Sequence, residues 1–332
     1  MFNRGLGVKV AWGLILGVFA LVLLTTSSVY AQEKIKIGII LFNDIPPFMD
    51  AAKGFKQELA DNGYGEDKVE YLTYNAKSDM GLLKGITDEL RNANVKIIVI
   101  TSTGGTIEVL KNVQDIPVVF AVVAYLESIN DAAVKFGGFG SNYTGAIISA
   151  SADRIIELAL KTDASIKKVG FLRNGLEDNS RRDVNNFEAS CKKMGIQVVS
   201  VPFASDAEVV PAFQKLVLTG VKCVFLPKDT LQQKHLEEFK ALIYSNKIFG
   251  ITSELAIVPT GAAMLGLSAV PFDVGVLAGN KALQILKGRK PNQIAIEPPK
   301  DYEVWLNIGS ATKSGVNFPV GIIKLANKVI TD

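Results

Sequence analysis

The sequence predicts an α/β protein of two doubly wound parallel-sheet lobes, joined by a hinge that the chain crosses three times. Apolar, strand-like runs alternate with helix-period segments from residue 35 onward, the series starts again near residue 150, and one further strand, helix and strand follow it. Strands that are apolar throughout and separated by helices are typical of a parallel sheet covered on both faces. Two lobes are expected because the chain has 332 residues, and even the roughly 300 that follow the N-terminal segment exceed what a single core usually holds.

The first series predicts five strands and three helices. The strands are residues 35–41, 69–74, 96–100, 117–124 and 144–148. Residues 49–62 and 82–93 have apolar side chains at helical spacing, and a short third helix is expected to follow residues 101–106. These elements make up most of the first lobe.

The second series predicts four strands and four helices, and the tail adds the crossing elements. The strands are residues 168–172, 197–201, 222–226 and 248–251, and the helices are residues 155–161, 179–194, 207–218 and 231–245. A strand at 262–267, a long helix at 272–287 and a strand at 303–307 follow. We therefore predict one lobe from residues 33–149 plus 270–297 and the other from 150–269 plus 298–332, with a cleft between them.

The first 31 residues have the three parts of a secretory signal peptide. Arg4 and Lys9 are their only charged residues, residues 11–24 are apolar, and small residues lead to Ala31. The apolar run is short for a membrane span, which needs about 20 residues. We predict cleavage after Ala31 and a location in the periplasm, with an uncleaved membrane anchor as the alternative.

Composition excludes several classes of partner. Residues 1–31 carry two of the 36 basic residues and none of the 33 acidic ones, so the remainder has a net charge of +1, too balanced for nucleic-acid binding. His235 is the only histidine, which excludes a histidine-based metal site. Cys191 and Cys223, the only cysteines, are interpreted as small buried apolar residues, with a disulfide between them as the alternative. We expect no cofactor and no metal.

The loop TSTGGT follows the third predicted strand and begins a helix, which makes it a candidate anion site. Free backbone N–H groups and the helix dipole both favour negative charge at such a position. The alternative is an ordinary helix cap with a tight turn. The candidate ligand-binding residues of this loop are Thr101, Ser102, Thr103, Gly104, Gly105 and Thr106.

Other polar loops also follow predicted strands, at the edge where open parallel sheets bind ligands. The alternative role is helix capping for Asn179 or Ser180 and for Asp229, and turn stiffening for Pro46 and Pro47. The candidate ligand-binding residues are Asn43 and Phe48 after the first strand, Val123 and Tyr125 at the fourth, and Asn174, Glu177, Asn179, Asp229, Thr230, Ser253 and Glu254 in the second lobe.

Several segments, in order along the chain, resemble the substrate-binding components of ABC transporters, in the group tied to tryptophan and tyrosine uptake. They are residues 51–79, IPVVF at 116–120, NYTG at 142–145, PKDT at 227–230 and residues 282–307. The resemblance implies a type I periplasmic-binding-protein fold that closes on a small solute and delivers it to an ABC permease in the cytoplasmic membrane. We expect a monomer.

The resemblance also implies an aromatic amino acid as the ligand. Its carboxylate would meet Thr103–Thr106, its amine would meet Asp229 or Glu254, and Tyr125 or Phe48 would contact its side chain. The segment VVAYLES at 122–128 departs from relatives, which often carry an acidic residue and a proline there. That departure concerns the ligand and not the fold.

No catalytic constellation is present, so we do not expect an enzyme. The sequence has neither a GxSxG elbow nor a histidine near a nucleophile. Asp229 and Glu254 could act as acid and base, but ligand binding is the simpler use. A solute-binding sensor that signals to a membrane receptor is the alternative to an importer component, because both would use the same pair of lobes.

Overall fold

The computed structural model describes residues 33–148 and 150–331. The predicted signal peptide lies outside these residues. From Ile35 onward the described chain belongs to one compact unit, which contains two parallel-sheet lobes. The α/β prediction of two such lobes is therefore confirmed.

The first lobe is built on a five-stranded parallel sheet with the order β2-β1-β3-β4-β5. Its interior strands are mostly apolar because helices cover both faces, and every residue of β3 and β4, including Thr101 at the end of β3, is buried. The strands are β1 (Ile35–Leu41), β2 (Val69–Asn75), β3 (Ile97–Thr101), β4 (Val118–Val123) and β5 (Tyr143–Ile147). The helices between them are α1 (Pro46–Asp61), α2 (Met80–Asn92), α3 (Thr103–Asn112) and α4 (Leu126–Lys135).

The second lobe is built on a seven-stranded sheet with the order β12-β11-β10-β9-β8-β6-β7. Strand β11 runs antiparallel to β10, so the sheet is mixed at this one pairing. The strands are β6 (Lys168–Asn174), β7 (Gln197–Phe203), β8 (Cys223–Leu226), β9 (Phe249–Thr252), β10 (Leu265–Ser268), β11 (Glu303–Asn307) and β12 (Lys328–Ile330). The helices are α5 (Ala152–Thr162), α6 (Asp178–Lys193), α7 (Val209–Leu218) and α8 (Leu236–Ser245), with the short α10 (Ile308–Lys313) and α11 (Val320–Ile323) near the end.

Helix α9 (Pro271–Leu286) follows β10 of the second lobe but packs in the first. Glycines make this packing close: a Cβ added to Gly275 would lie 2.0 Å from the carbonyl oxygen of Ala51 on α1, and one added to Gly54 would lie 2.0 Å from that of Phe272. After α9 the chain returns to the second sheet as β11. The division into residues 33–149 plus 270–297 and 150–269 plus 298–332 stays a prediction in its exact boundaries.

Four local predictions need correction. Pro46 and Pro47 do not stiffen a loop; they begin α1, because the first turn of a helix needs no N–H from them. The segment predicted as one helix at 231–245 is a 3₁₀ turn, Gln232–His235, followed by α8. Helix α4, and the elements after residue 307, were not predicted. The strand predicted at 262–267 begins only at Leu265.

The two cysteines lie in the core of the second lobe. Cys191 and Cys223 are both free and fully buried, in agreement with their interpretation as small apolar residues. Burial raises the pKa of the Cys191 thiol to about 12, and it raises that of Cys223 as well. A raised pKa keeps both groups in the unreactive thiol form at neutral pH.

Candidate functional site

The carboxyl end of β3 leads into a strained turn. Ser102 has φ +115° and ψ 155°, a backbone region that residues other than glycine rarely adopt. In this conformation its hydroxyl accepts from the N–H of Gly105 at 3.0 Å and caps α3. The hydroxyl of Thr103 accepts from the N–H of Ala124 at 3.1 Å, and that of Thr106 donates to the carbonyl oxygen of Ser102 at 2.6 Å. The hydroxyls of Ser102 and Thr106 therefore hold the loop's own backbone, which is the capping role that the sequence left open, and the hydroxyl of Thr103 holds the backbone after β4.

A second strained residue lies beside this turn, at the end of β4. Val122 has φ +60°, and the pairing of β4 with β5 shifts register between Phe120 and Val123. A β-branched residue in the left-handed region costs about 1–3 kcal/mol and is kept only where the surroundings impose it, commonly at binding sites. After this bulge, Tyr125 immediately precedes α4.

Tyr125 makes a direct hydrogen bond between the lobes. Its hydroxyl donates to Oδ1 of Asp183, on α6 of the second lobe, at 2.7 Å. Burial and the adjacent Asp183 carboxylate both raise the pKa of Tyr125, so it remains a donor at neutral pH. An ion pair between Arg182 and Asp131 also joins α6 to α4. The lobes are thus in contact across the cleft.

Asp183 is the centre of a buried polar network in the second lobe. Besides the bond from Tyr125, Oδ2 accepts from the backbone N–H of Lys228 at 3.0 Å and from the hydroxyl of Ser253 at 2.5 Å. The residue is 5% exposed. The sequence did not single out Asp183 because it lies within an ordinary helical pattern, whose charged residues usually face solvent.

Asp229 has all of its observed hydrogen bonds within the second lobe. Its carboxylate accepts from the N–H groups of Leu231 and Gln232, from the hydroxyl of Ser180, and from the side-chain amide of Gln232. Asp229 is fully buried. These bonds are those of a cap, so the structure favours the alternative role of this residue over contact with a ligand.

Glu177 and Thr230 are paired beside Asp229. The hydroxyl of Thr230 donates to Oε1 of Glu177, and its N–H donates to Oε2 at 3.1 Å. Burial and the nearby Asp229 raise the pKa of Glu177. Asn179 donates to the carbonyl oxygen of Lys228 at 2.8 Å and so fixes the loop after β8. These residues position the edge of the second sheet.

Glu254 remains available for contact with a ligand. It is 4% exposed, and among the described residues its carboxylate accepts only a long bond, 3.4 Å, from the N–H of Ala256. Burial raises its pKa, and the nearby Lys228 acts in the opposite direction. A ligand ammonium at this position would favour the ionised carboxylate.

Two predicted contact residues of the first lobe have local roles. Phe48 is 6% exposed and packs in the core of the first lobe. Asn43 donates to the hydroxyl of Ser78 at 3.0 Å and accepts from the N–H of Ile45. Val123 is buried at the end of β4, beside Tyr125. Of the predicted residues in this lobe, Tyr125 is the one that reaches the second lobe by a hydrogen bond.

The sequence of residues 36–330 matches the family model described as "ABC transporter substrate binding protein". A curated relative, the tyrosine-binding protein of Clostridioides difficile (strain R20291), is 26% identical over 83% of this chain and 80% of its own length. An uncharacterized protein of Rickettsia prowazekii is 22% identical over 90% of this chain and 91% of its own length.

Solved structures have the same fold. An ABC domain from Streptococcus pneumonia in complex with L-Trp is 25% identical, covers 90% of this chain with 100% of its own, and has a TM-score of 0.81. The ligand-free, open structure of a substrate binding protein with adhesive properties from Clostridium difficile covers the same shares at 22% identity, with a TM-score of 0.70. Within the described residues, no helix is long and apolar enough to cross a membrane.

Proposed function

Because the chain belongs to the ABC transporter substrate-binding family, we propose that it captures an aromatic amino acid in the cleft between its lobes and delivers it to an ABC permease. The lobes would open to admit the solute and close around it. This family binds small solutes outside the cytoplasm and acts with permeases, so the proposal adds the class of solute, the site and the motion.

The observation that carries the proposal is the hydrogen bond from Tyr125 to Asp183. It joins the carboxyl end of β4 in one sheet to α6, which packs beside the carboxyl ends of β6 and β8, in the other. In open parallel sheets these edges are where ligands bind. A solute held between them would contact both lobes only when the lobes are closed, and its binding would therefore favour closure.

The choice of an aromatic amino acid is supported by the relatives. One is named for tyrosine, and one was solved with L-Trp. In the cleft, Tyr125 offers a ring for contact with an aromatic side chain, and Glu254 offers a carboxylate for an ammonium group. The aromatic end of the solute would contact Tyr125, and its charged end would contact Glu254.

The test is calorimetric titration of residues 32–332 with L-tryptophan, L-tyrosine and L-phenylalanine, with D-ribose as the control solute. We expect at least one of the three to bind and ribose to give no heat. Small-angle scattering of the same samples is expected to show a smaller radius of gyration with the bound amino acid than without it. Binding of ribose alone would contradict the solute class, and binding without compaction would contradict closure.

Export is expected to remove the first 31 residues. The full-length chain, expressed in a bacterium with a periplasm, should be recovered from the periplasmic fraction with Gln32 as its first residue, because Ala31 ends the small-residue segment before the predicted cut. N-terminal sequencing measures this directly. A chain that retains Met1 and sediments with membranes would instead support the uncleaved anchor.

A further inference from the structure

Four polar residues of the second lobe lie at or just beyond the carboxyl ends of adjacent strands, and the strand registers, continued past the last paired residues, bring them into one row. Gly170 of β6 pairs with Val224 of β8; Asn174 ends β6 and Lys228 lies two residues beyond β8, so this register, continued, brings them opposite each other. Leu226 pairs with Thr252 of β9, and Lys228 and Glu254 each lie two residues beyond these strands, so the continued register brings them opposite each other as well. Gly266 of β10 also pairs with Thr252, which brings Ser268 opposite Glu254. We call Asn174, Lys228, Glu254 and Ser268 the polar row.

Three members of the polar row have buried polar atoms without a partner. Nδ2 of Asn174, Nζ of Lys228 and Oγ of Ser268 are buried and make no hydrogen bond to any described residue. Asn174 is 0% exposed, Lys228 6% and Ser268 1%. The orientation of the Asn174 amide is set by its own Oδ1, which accepts from the N–H of Leu176 at 2.8 Å. Its NH₂ group is therefore the unused end.

The unused groups of Asn174 and Lys228 are both donors. A lysine ammonium has three N–H donors and an asparagine amide has two, and neither group can accept through nitrogen. An ammonium taken out of water without a partner is strongly unfavourable, and buried polar groups in folded proteins are nearly always hydrogen-bonded. Buried donors that lack acceptors at the same edge of the sheet indicate a place for an acceptor-rich, negatively charged group from outside the chain.

The other bonds of this region hold Lys228 in place without using its ammonium. Its backbone N–H donates to Asp183, and its carbonyl oxygen accepts from Asn179. Asp183 is in turn bonded by Tyr125 from the first lobe. Lys228 is thus fixed beside Asp183, the residue that bonds to the first lobe, and near the acidic Glu254.

We propose that Lys228, assisted by Asn174, binds the carboxylate of the solute, while Glu254, its neighbour in the polar row, receives the ammonium group. This inference rests on the proposed function and deepens it. It moves the carboxylate from the helix turn at residues 101–106, where the hydroxyls are used locally, to the second lobe. The required solute is a free α-amino acid, with both charged groups close together at one end.

The test compares the amino acids with their decarboxylated amines in wild type and in Lys228→Met, which keeps the length of the side chain and removes its charge. In wild type, tryptamine and tyramine are expected to bind about 10- to 150-fold more weakly than tryptophan and tyrosine, the loss that corresponds to one charged hydrogen bond. In Lys228→Met the amino acids should lose about the same factor, and the amines should bind as they do to wild type. Lys215→Met, at an exposed position on α7, is the matched control and should leave all four affinities unchanged.

Several outcomes overturn the inference. One is an affinity of Lys228→Met for the amino acids that matches wild type, and another is an equal loss for acids and amines. The midpoint of urea unfolding serves as the folding check: Lys228→Met should unfold at a urea concentration equal to or above that of wild type, because an unpaired buried charge has been removed.

A second panel of solutes distinguishes failure of the proposed aromatic ligand from failure of this inference about Lys228. If wild type binds none of the three aromatic amino acids, thermal shifts are measured with the other amino acids, with short carboxylic acids and with neutral sugars. The inference then expects hits only among the amino acids, which carry both charged groups, each abolished in Lys228→Met and retained in Lys215→Met. A panel in which only amine-free carboxylic acids or neutral solutes bind, or none, overturns it.

Discussion

Replacing Asp183 by alanine is expected to give the largest loss of stability of any single polar substitution in the cleft. The change leaves three donors without their acceptor: the half-buried Tyr125 hydroxyl, and the buried Lys228 N–H and Ser253 hydroxyl. Each unsatisfied buried group costs about 1–3 kcal/mol. We therefore expect the free energy of unfolding, measured by urea denaturation at pH 7, to fall by about 3–5 kcal/mol, in line with breaking a buried network.

Two further variants separate the parts of this effect. Tyr125→Phe removes only the bond between the lobes and should cost about 1 kcal/mol, with a larger radius of gyration in the absence of ligand. Asp206→Ala is the control, since this exposed carboxylate contacts only Lys234 and His235 at the surface, and should stay within about 0.5 kcal/mol of wild type. Equal unfolding midpoints for Asp183→Ala and Asp206→Ala would show that the network contributes nothing.

Replacing Gly275 by leucine is expected to separate α9 from α1. The Cβ alone would already lie 2.0 Å from the carbonyl oxygen of Ala51. This oxygen belongs to the backbone of α1, which cannot move aside as a flexible side chain can. Overpacking of this kind typically costs about 1–3 kcal/mol. Here the cost should reach the upper end or beyond it, because the whole helix must move and its buried side chains, such as Val274 and Ala278, become exposed.

Gly85→Ala is the matched control for Gly275→Leu. Gly85 lies within α2, is exposed, and has nothing within 4 Å of an added Cβ. Because alanine is favoured over glycine in a helix by about 0.8–1.0 kcal/mol, this variant should be more stable than wild type. Thermal unfolding measures both variants together. Gly275→Leu with wild-type stability would mean that α9 does not pack closely on α1.

The strands were predictable from sequence because burial on both faces of a parallel sheet leaves a continuous apolar run. Residues 35–41 and 303–307 match β1 and β11 at both ends. The antiparallel pairing of β11 with β10 was not predictable, since strand direction depends on the path that α9 takes to the first lobe. Helix α4 was not predicted, although Leu126, Ile129 and Ala132 have helical spacing, because this short apolar pattern directly follows the apolar run of β4.

The location of the candidate site, at the carboxyl ends of the strands, was predictable, but the roles of its residues were not. The loops after β1, β3, β4, β6, β8 and β9 were named because polar residues follow apolar strands. Which of those residues cap a helix and which are left unpaired depends on side-chain partners far apart in the chain, such as Ser180 for Asp229. Lys228 gives no signal of its own within PKDT, because a lysine in a loop is normally solvated. Its burial has no signature in a single sequence.

The position of α9 has a consequence for the order in which the protein can fold during synthesis. The first lobe lacks the partner of α1 until Pro271–Leu286 have left the ribosome, and the second sheet lacks β11 and β12 until residues 303–330 have followed. Domains that are contiguous in sequence fold as each is completed, whereas this topology postpones both lobes to the end of translation. Late completion, and the long loop closures it requires, would keep the nascent chain extended for longer, the state in which a polypeptide can still be threaded through a narrow export channel.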